Sequence, residues 1–406
     1  MAQGAVGVNI LSSVVGIGGS NVSAFGDLIT APLTPVIQLD FVYGINSQTG
    51  TATTANSATV DTNLSRLRLQ SGTNSAGAAS FSSNRIARYR AGEGMVARFT
   101  AVWTNNAASS TQVVGVGTTQ VGYFFGYNGT SFGISIRNGG SDNWIPQTAW
   151  NGDVCDGTGG SGFNWNKTFG NVMMIKYPYL GYGTITFWVL NPVTGAWILC
   201  HTIQYPNTTA SVQVSNPSFP FYTNITNAGN TTALTLYVAS VGIFISGIRE
   251  FLGAAWGVDS AKNSITAETN LLNIRNCTTY NGVTNYGLIR LRSISAATDN
   301  GNGLATLRIK TGVTLGGSPV FTPINGSTAD NGVTITSGNS IASFDVAGTG
   351  TTGTVISNLC LARNSNFALD LTPLNLFIGP GQTITVTAAS AAAASIQIAF
   401  NWNEDV

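Results

Sequence analysis

A single histidine limits the catalytic chemistry open to this chain. His201 is the only histidine in 406 residues, so a serine or cysteine nucleophile activated by imidazole would have to use it. Cys200 precedes it directly, but neighbouring residues of a strand point to opposite faces of a sheet. We therefore expect ordinary strand residues here. The other cysteines, Cys155, Cys277 and Cys360, stand alone and lack metal-ligand spacing.

Carboxylates offer a second route to catalysis, because a glycosidase needs two of them about 5 to 10 Å apart. The candidates Glu93, Asp142, Asp153 and Asp156 fall in predicted loops, and the Glu-x-Asp-x-x-Glu pattern of sandwich-type glucanases is missing from the sequence. We expect structural acids, and hence no catalytic residue, no cofactor and no bound metal. A polysaccharide-degrading enzyme using Glu93, Asp153 and Asp156 is the remote alternative.

Tryptophans indicate a different function, the binding of a sugar. Trp144, Trp150 and Trp165 lie in one stretch together with Asp153, and exposed aromatic rings beside polar groups are suited to holding a sugar ring. These four residues form the candidate glycan-binding site. In the competing interpretation, which we favour, the rings pack a long loop onto the rest of the domain.

The composition is unusually poor in charge. Charged residues make up 8% of the chain and the formal net charge is +1, whereas about 25% charged residues is ordinary. The surface must therefore consist largely of Thr, Ser, Asn, Gln and Gly, which suits hydrogen-bonded contacts between subunits. We expect no nucleic-acid partner, because a basic patch is lacking. We also expect no signal peptide, no membrane span and assembly in the cytoplasm.

Short alternating segments separated by turn residues predict an all-β chain. Residues 64–70 place Leu67 and Leu69 on one face and arginines on the other, and residues 122–127 follow at similar spacing. Asn128-Gly129 is a strong hairpin signal. Evenly spaced strands with such turns predict two β-sandwiches of jelly-roll type.

Changes in composition along the chain predict four segments. Residues 1–38 are rich in Gly, Ser and Ala and are expected to form an extended N-terminal arm. Residues 39–247 are expected to form a lectin-like (concanavalin-like) β-sandwich, on strand count and turn rhythm. Residues 248–261 read as a linker, and residues 262–406 as a C-terminal jelly-roll-like sandwich with a Pro-Gly turn at residues 380–381.

Several stretches together resemble a known group of proteins. They are Pro35-Val-Ile-Gln-Leu-Asp-Phe-Val-Tyr43, Arg88-Tyr-Arg-Ala-Gly-Glu-Gly-Met-Val-Ala-Arg-Phe-Thr100, Gly122-Tyr-Phe-Phe-Gly-Tyr-Asn-Gly-Thr-Ser-Phe-Gly-Ile134, Tyr179-Leu-Gly-Tyr-Gly-Thr-Ile185, Asn191-Pro-Val-Thr-Gly195 and Asn401-Trp-Asn-Glu-Asp405. The run resembles virion structural proteins of tailed bacteriophages and large DNA viruses. The resemblance implies a virion component and assigns no catalytic or binding residue.

Together these observations predict a virion structural protein: a fibre, tail or capsid-surface component that acts through self-assembly. Its expected partners are other virion proteins and further copies of itself in a symmetric homo-oligomer, with a trimer favoured. The alternative is a host-attachment module that recognises host-surface glycans through Trp144, Trp150, Asp153 and Trp165.

Overall fold

The computed structural model describes residues 32–247, 253–299, 304–324, 329–330, 332–362 and 364–405. Strands dominate, and the 3-10 helices Gln147–Ala149 and Thr372–Leu374 are single turns. In these residues no helix has the length and hydrophobicity needed to cross a lipid bilayer. The chain divides into two compact units, Met1–Arg249 and Glu250–Val406.

The first unit is a sandwich of two antiparallel sheets. Its strands in the described residues are β1 (Leu33–Asp40), β2 (Gly50–Ala55), β3 (Thr59–Asn63), β4 (Arg66–Gln70), β5 (Ala78–Ser83), β6 (Gly94–Trp103), β7 (Ser110–Gly117), β8 (Gly122–Asn128), β9 (Ser131–Asn138), β10 (Ser141–Pro146), β11 (Asn171–Tyr177), β12 (Ile185–Leu190), β13 (Trp197–Ile203), β14 (Phe221–Asn227), β15 (Thr235–Val238) and β16 (Ser240–Ser246). One sheet has seven strands in the order β10-β9-β8-β7-β14-β5-β2. The other has nine, in the order β13-β12-β11-β6-β15-β4-β3, with β16 beside β6 and β1 beside β16.

Aromatic rings fill the space between these two sheets. Phe125 of β8 lies with its ring centroid 6.4 Å from that of Phe99 on β6 and 5.3 Å from that of Phe187 on β12. All three are buried. Each buried phenylalanine contributes about 1.5 to 3 kcal/mol through removal from water, and edge-to-face ring pairs add about 0.5 to 1.5 kcal/mol. The aromatic core therefore fixes the two sheets face to face.

Period-two alternation explains which side of the seven-stranded sheet faces this core. On β8, Tyr123, Phe125 and Tyr127 belong to the main core, whereas Phe124 belongs to a separate cluster on the opposite side. The neighbouring β9 follows the same rule, since Ile134 pairs with Phe125 and Ser135 pairs with Phe124. The sequence pattern of these strands therefore determines two chemically different faces.

The second unit is also a β-sandwich. Its strands in the described residues are β17 (Ala254–Ile265), β18 (Thr269–Asn276), β19 (Thr279–Tyr280), β20 (Val283–Thr284), β21 (Leu288–Thr298), β22 (Ala305–Thr311), β23 (Thr322–Pro323), β24 (Ala329–Asp330), β25 (Thr334–Ile335), β26 (Ala342–Asp345), β27 (Thr354–Leu361), β28 (Asn366–Asp370), β29 (Phe377–Ile378), β30 (Thr383–Ser390) and β31 (Ala394–Asp405). One sheet has the order β17-β31-β21-β28, with β29 also paired to β21, and the facing sheet has the order β23-β26-β18-β30-β22-β27. A small four-stranded sheet has the order β20-β19-β25-β24.

The core of the second unit is aliphatic, with a few rings. Phe400 and Trp402 of β31 lie in one cluster with Leu307 of β22 and Val386 of β30, from the facing sheet. Consecutive long strands pass from one sheet to the other, as β17 to β18, β21 to β22 and β30 to β31 do. This is the connectivity of a jelly roll.

The predicted fold class is confirmed, because both units are antiparallel β-sandwiches. The first has the two large facing sheets that a lectin-like sandwich requires. The predicted boundaries, however, need correction. The predicted arm includes residues 33–38, but β1 pairs with β16 and buries Ile37, so they belong to the first sandwich. The predicted linker includes residues 254–261, but these pair with β31. Residues 1–31 of the predicted arm and residues 248–252 of the predicted linker lie outside the described part.

Candidate functional site

The side of the seven-stranded sheet that points away from the core presents two kinds of side chain. We call it the outer face. Cross-strand pairing places these residues on it: Asp142 and Trp144 of β10, Ser135 and Arg137 of β9, Phe124 of β8, Val113 of β7, Tyr222 and Asn224 of β14, Ser80 and Ser82 of β5, and Thr51 and Thr53 of β2. One half is thus aromatic and charged, and the other half is a row of hydroxyl and amide groups.

The aromatic half is a compact cluster. Phe124, Tyr222 and Val113 are buried there, and Trp144 packs against them while half-buried itself. The rings of Phe124 and Tyr222 have centroids 5.9 Å apart in an edge-to-face arrangement. Trp144 is therefore the ring of this cluster that a ligand would meet, with the other two as its support.

Glycines make room for Phe124 on the outer face. Gly122 has φ +156°, and a Cβ built on it would stand 2.6 Å from Cζ of Phe124. A Cβ on Gly117, directly opposite in the ladder, would stand 2.8 Å from the same atom. The Phe124 ring therefore lies against bare backbone, which only glycine permits. Gly117 and Gly122 therefore let the aromatic cluster pack directly against the backbone of β7 and β8.

An ion pair borders the aromatic cluster. Arg137 donates from Nε to Oδ1 and from Nη2 to Oδ2 of Asp142, both at 2.9 Å, and Ser135 Oγ donates to the same carboxylate at 2.7 Å. The guanidinium carbon also lies 4.8 Å from the Phe124 ring centroid. The turn Asn138-Gly139-Gly140 joins β9 to β10 and sets this register. A bidentate pair of this kind is geometrically fixed.

Two polar groups of the cluster are held away from bulk water. Burial raises the pKa of Tyr222, against the opposing influence of the Arg137 charge, so the phenol stays neutral at physiological pH. The indole N–H of Trp144 is buried and donates no hydrogen bond within the described residues. The indole N–H groups of the core residues Trp103, Trp150 and Trp165 are likewise buried without an acceptor in the described residues, so this feature alone does not indicate a ligand.

The second half of the outer face is suited to hydrogen bonding. Asn224, Ser80 and Ser82 are half-buried, and Thr51 and Thr53 are exposed. Each hydroxyl both donates and accepts, as the amide of Asn224 does. Trp144 of β10 lies four strands from β14, where this row begins, which is about 19 Å. An extended molecule with apolar C–H faces and many hydroxyl groups would be needed to contact both.

The structure separates the four residues predicted to form a glycan site. Trp144 lies on the outer face, but Trp150 is 5% exposed and Trp165 is 2% exposed. Both belong to the main core: the Trp165 ring lies 5.1 Å from that of Phe132, and the two indoles lie 6.1 Å apart. The candidate glycan site is therefore corrected at Trp150 and Trp165, and the favoured interpretation is confirmed for both: they pack the loop between β10 and β11 onto the sandwich.

Asp153 has a structural role in that same loop. Its carboxylate accepts the backbone N–H of Cys155 at 2.8 Å and that of Ser161 at 2.8 Å. Burial alone would raise its pKa, but these two hydrogen bonds outweigh burial and lower it. Asp153 therefore fixes the loop around the two buried tryptophans and is not part of the outer face.

The lone histidine and its cysteine neighbour face different partners. His201 accepts the backbone N–H of Asn151 at Nδ1, 3.1 Å away. Sγ of Cys200 lies 3.8 Å from Sγ of Cys155 inside the core. Burial lowers the pKa of His201 and raises that of Cys200. Neither group has the partner that a nucleophile–base pair needs.

Most residues of the outer face were not predicted as site residues, among them Phe124, Arg137 and Tyr222. A usable signal existed for the first two, since Phe124 alternates with the inward-facing rings of β8, and Arg137 and Asp142 flank a Gly-Gly turn. Tyr222 is about a hundred residues away along the chain, so only the pairing of β14 with β7 brings it there.

No protein-family model and no curated protein matches the chain. Among solved structures, it is similar to the potassium-bound carbohydrate recognition domain of Emp46p, with 10% identity over 53% of this chain and 97% of that one, at a TM-score of 0.33. It is also similar to the cellulose induced protein Cip1, with 12% identity over 51% of this chain and 96% of that one, at 0.34. A putative beta-glucanase from Mycobacterium abscessus shares 10% identity over 52% of this chain and all of its own length, at 0.36. TM-scores this low assign no function to this chain.

Proposed function

We propose that the first unit is a glycan-binding domain and that the outer face of its seven-stranded sheet is the binding surface. The observation that supports this most is the position of Trp144. It is a half-buried ring on a fixed aromatic cluster, flanked by the Arg137–Asp142 pair. Sugars combine an apolar ring face with equatorial hydroxyls, and this surface offers a complementary group for each.

The same geometry favours binding over hydrolysis. The seven strands, all of which the structure describes, contain one carboxylate, Asp142. Both of its oxygens already accept hydrogen bonds from Arg137. A glycosidase needs a second carboxylate about 5 to 10 Å away. We therefore propose that this face holds a saccharide without cleaving it.

A pair of tryptophan variants tests the proposal. Trp144→Ala removes the ring of the outer face, and Trp188→Ala removes a half-buried outward ring from β12 of the other sheet, so it is a matched control. We expect the wild type to bind a subset of glycans on an array. Titration with one of these should show affinity reduced about tenfold or more in Trp144→Ala and unchanged in Trp188→Ala.

Two outcomes would refute the assignment. The first is a wild-type chain that retains no glycan on a broad array of animal, plant and bacterial saccharides. The second is loss of binding in Trp188→Ala with retention in Trp144→Ala, which would move the site to the nine-stranded sheet. Circular dichroism of both variants should match the wild type, because neither ring belongs to the main core.

We propose a second, compatible function as a structural component of a virus particle. Its support is the charge-poor composition, 8% charged residues, together with the strand-and-turn motifs quoted above. Gold-labelled antibody against the chain should decorate intact particles of the virus whose genome encodes it. Absence of the chain from purified particles, judged by mass spectrometry, would exclude this role and leave the glycan proposal standing.

A further inference from the structure

The outer face of the first unit has a row of residues that crosses all seven strands. Cross-strand pairing aligns one residue of each strand in this row, which begins at Trp144 of β10, passes through Phe124 and Tyr222, and ends at Ser82 of β5 and Thr51 of β2. We call it the transverse row. Phe124 and Tyr222 are buried, whereas Trp144 and Ser82 are half-buried and Thr51 is exposed. The groups that a ligand can contact therefore lie toward the two ends of the row.

The two ends of the transverse row are far apart. β10 and β2 are the first and last strands in the order of the sheet, and six strand spacings of about 4.8 Å separate Trp144 from Thr51 by about 29 Å. Ser82 lies one strand closer, about 24 Å from Trp144. A sugar unit in an extended chain advances by about 5 Å, close to one strand spacing. A mono- or disaccharide in contact with Trp144 therefore reaches neither hydroxyl group.

The hydroxyl end of the transverse row is broad. Asn224, Ser80 and Thr53 lie two positions further along β14, β5 and β2 and form a second row beside it. Each of these side chains both donates and accepts hydrogen bonds. Because they occupy three adjacent strands, they match the hydroxyl groups of successive sugar units rather than those of a single ring.

The outer face offers no free charge to a ligand. Arg137 and Asp142 are the only charged residues in the seven strands, all of which the structure describes. Arg137 donates from Nε and Nη2 to Asp142, and from Nη1 to the carbonyl oxygen of Thr118 at 3.2 Å. Each guanidinium nitrogen thus already has an acceptor, so the fork that commonly binds a carboxylate or sulfate is occupied. The face is therefore suited to an uncharged ligand.

We propose that the ligand of the outer face is an uncharged, extended saccharide chain that lies across the strands along the transverse row. One sugar unit stacks on Trp144, and units further along the chain exchange hydrogen bonds with Ser82, Thr53 and the polar side chains beside them. This inference rests on the proposed function, because it names the class of saccharide that the same surface binds.

Affinity electrophoresis of the full chain tests the charge of the ligand. The gels contain an uncharged polymer (dextran, galactomannan, arabinoxylan or mixed-linkage β-glucan) or an acidic one (polygalacturonate, hyaluronan or heparin). We expect retardation by at least one uncharged polymer and by none of the acidic ones. The retardation should be equal at low and high concentrations of sodium chloride, because no ion pair with the ligand is screened.

Oligosaccharides prepared from the retained polymer test the length of the ligand by calorimetric titration. We expect the hexasaccharide to bind about tenfold or more tightly than the disaccharide. Ser82→Ala and Thr53→Val each remove one hydroxyl group and should weaken hexasaccharide binding about two- to tenfold without changing the affinity for the disaccharide, whereas Trp144→Ala should weaken both. Thr59→Val removes an exposed hydroxyl group from β3 of the other sheet and should change neither affinity.

The outcomes separate this inference from the proposed function. If neither uncharged nor acidic saccharides bind, the proposed function is refuted and this inference with it. Equal affinity for the disaccharide and the hexasaccharide, with both reduced in Trp144→Ala, would leave glycan binding intact and refute the extended ligand. Retardation by an acidic polymer that sodium chloride abolishes would refute the uncharged one. Thr53 is exposed, so Thr53→Val keeps the length test valid if Ser82→Ala fails to fold, which thermal unfolding identifies.

Discussion

The Arg137 guanidinium lies over the ring of Phe124, 4.8 Å from its centroid, while both oxygens of Asp142 accept hydrogen bonds from it. Arg137 thus joins the apolar and the charged parts of the outer face. Its side chain is 9% exposed and that of Asp142 is 26% exposed. In its degree of burial the pair is intermediate between a surface ion pair, which contributes little to stability, and a fully buried one, whose disruption is costly.

Arg137→Met should destabilise the first unit by about 1 to 3 kcal/mol, because Asp142 loses its partner in a partly desolvated place. Asp142→Asn should cost less, since Asn keeps one acceptor oxygen. The double variant should lose less free energy of unfolding than the two single variants lose together, as expected for residues that interact directly. Urea denaturation of the four proteins measures this coupling, and strictly additive free energies of unfolding would disprove it.

Protonation of His201 is expected to make the free energy of unfolding depend on pH. Burial lowers the pKa of His201 below its ordinary value of about 6.5, and the neutral ring accepts the Asn151 N–H. Protonation occurs more readily in the unfolded chain, so the stability due to this group is complete above pH about 6.5 and is lost as the pH falls through the folded pKa. His201→Gln cannot titrate and should reduce the fall in the free energy of unfolding from pH 7.5 to pH 5. Identical pH dependence in both proteins would contradict this account.

Cys155 and Cys200 are expected to cross-link under oxidation, since their sulfur atoms are 3.8 Å apart and buried together. With oxidised glutathione, thiol–disulfide exchange would join the two sulfurs, and the two electrons would reduce glutathione disulfide to two glutathione thiols. Burial raises the pKa of Cys200, so the reaction should be slow and should accelerate in mild denaturant.

Peptide mass mapping without reductant distinguishes this outcome. Peptides containing Cys155 and Cys200 should be recovered as one species, two hydrogens lighter than their sum. Exposed Cys360 is the internal control and should form a mixed disulfide with glutathione, whereas burial raises the pKa of Cys277 to about 11 and should leave it unreacted. Separate glutathione adducts on Cys155 and Cys200 would refute the expected pairing.

Phe125 is expected to be among the costliest residues to truncate, because its ring contacts four others in the core, those of Phe99, Trp150, Trp165 and Phe187. Phe125→Ala should lower the free energy of unfolding by about 3 to 5 kcal/mol. Phe169→Ala, at a side chain 69% exposed, should change it by less than about 0.5 kcal/mol. Similar effects from both variants, measured by urea denaturation, would contradict the described core.

Local periodicity predicted the strands well but could not place the loops. The alternation of β8 correctly divides Phe124 from Tyr123 and Phe125, because direction along a strand follows from its pleat. Trp150 and Trp165 lie between β10 and β11, where no period fixes the direction of a side chain. Only contacts such as that of Trp165 with Phe132 determine their burial.

The first domain boundary failed for a related reason. Leu39 of β1 pairs with Val241 of β16, about two hundred residues later in the chain. Residues 33–38, Leu-Thr-Pro-Val-Ile-Gln, contain no Gly, Ser or Ala, and the apolar run that begins at Val36 is typical of a strand. The partner of a strand two hundred residues away leaves no local mark, so its place at the edge of the first sandwich could not be predicted from the sequence.

The two-sided character of β9 has a consequence for how the domain can diversify. Phe132, Ile134 and Ile136 are committed to the core, whereas Ser135 and Arg137, interleaved with them, hold Asp142 on the outer face. Both sets of side chains therefore stabilise the fold, the first through the core and the second through the ion pair. If the outer face binds a ligand as we propose, a lineage of such domains would change its targets at exposed positions such as Thr51 and Thr53 of β2, while the positions of β9 stay constant.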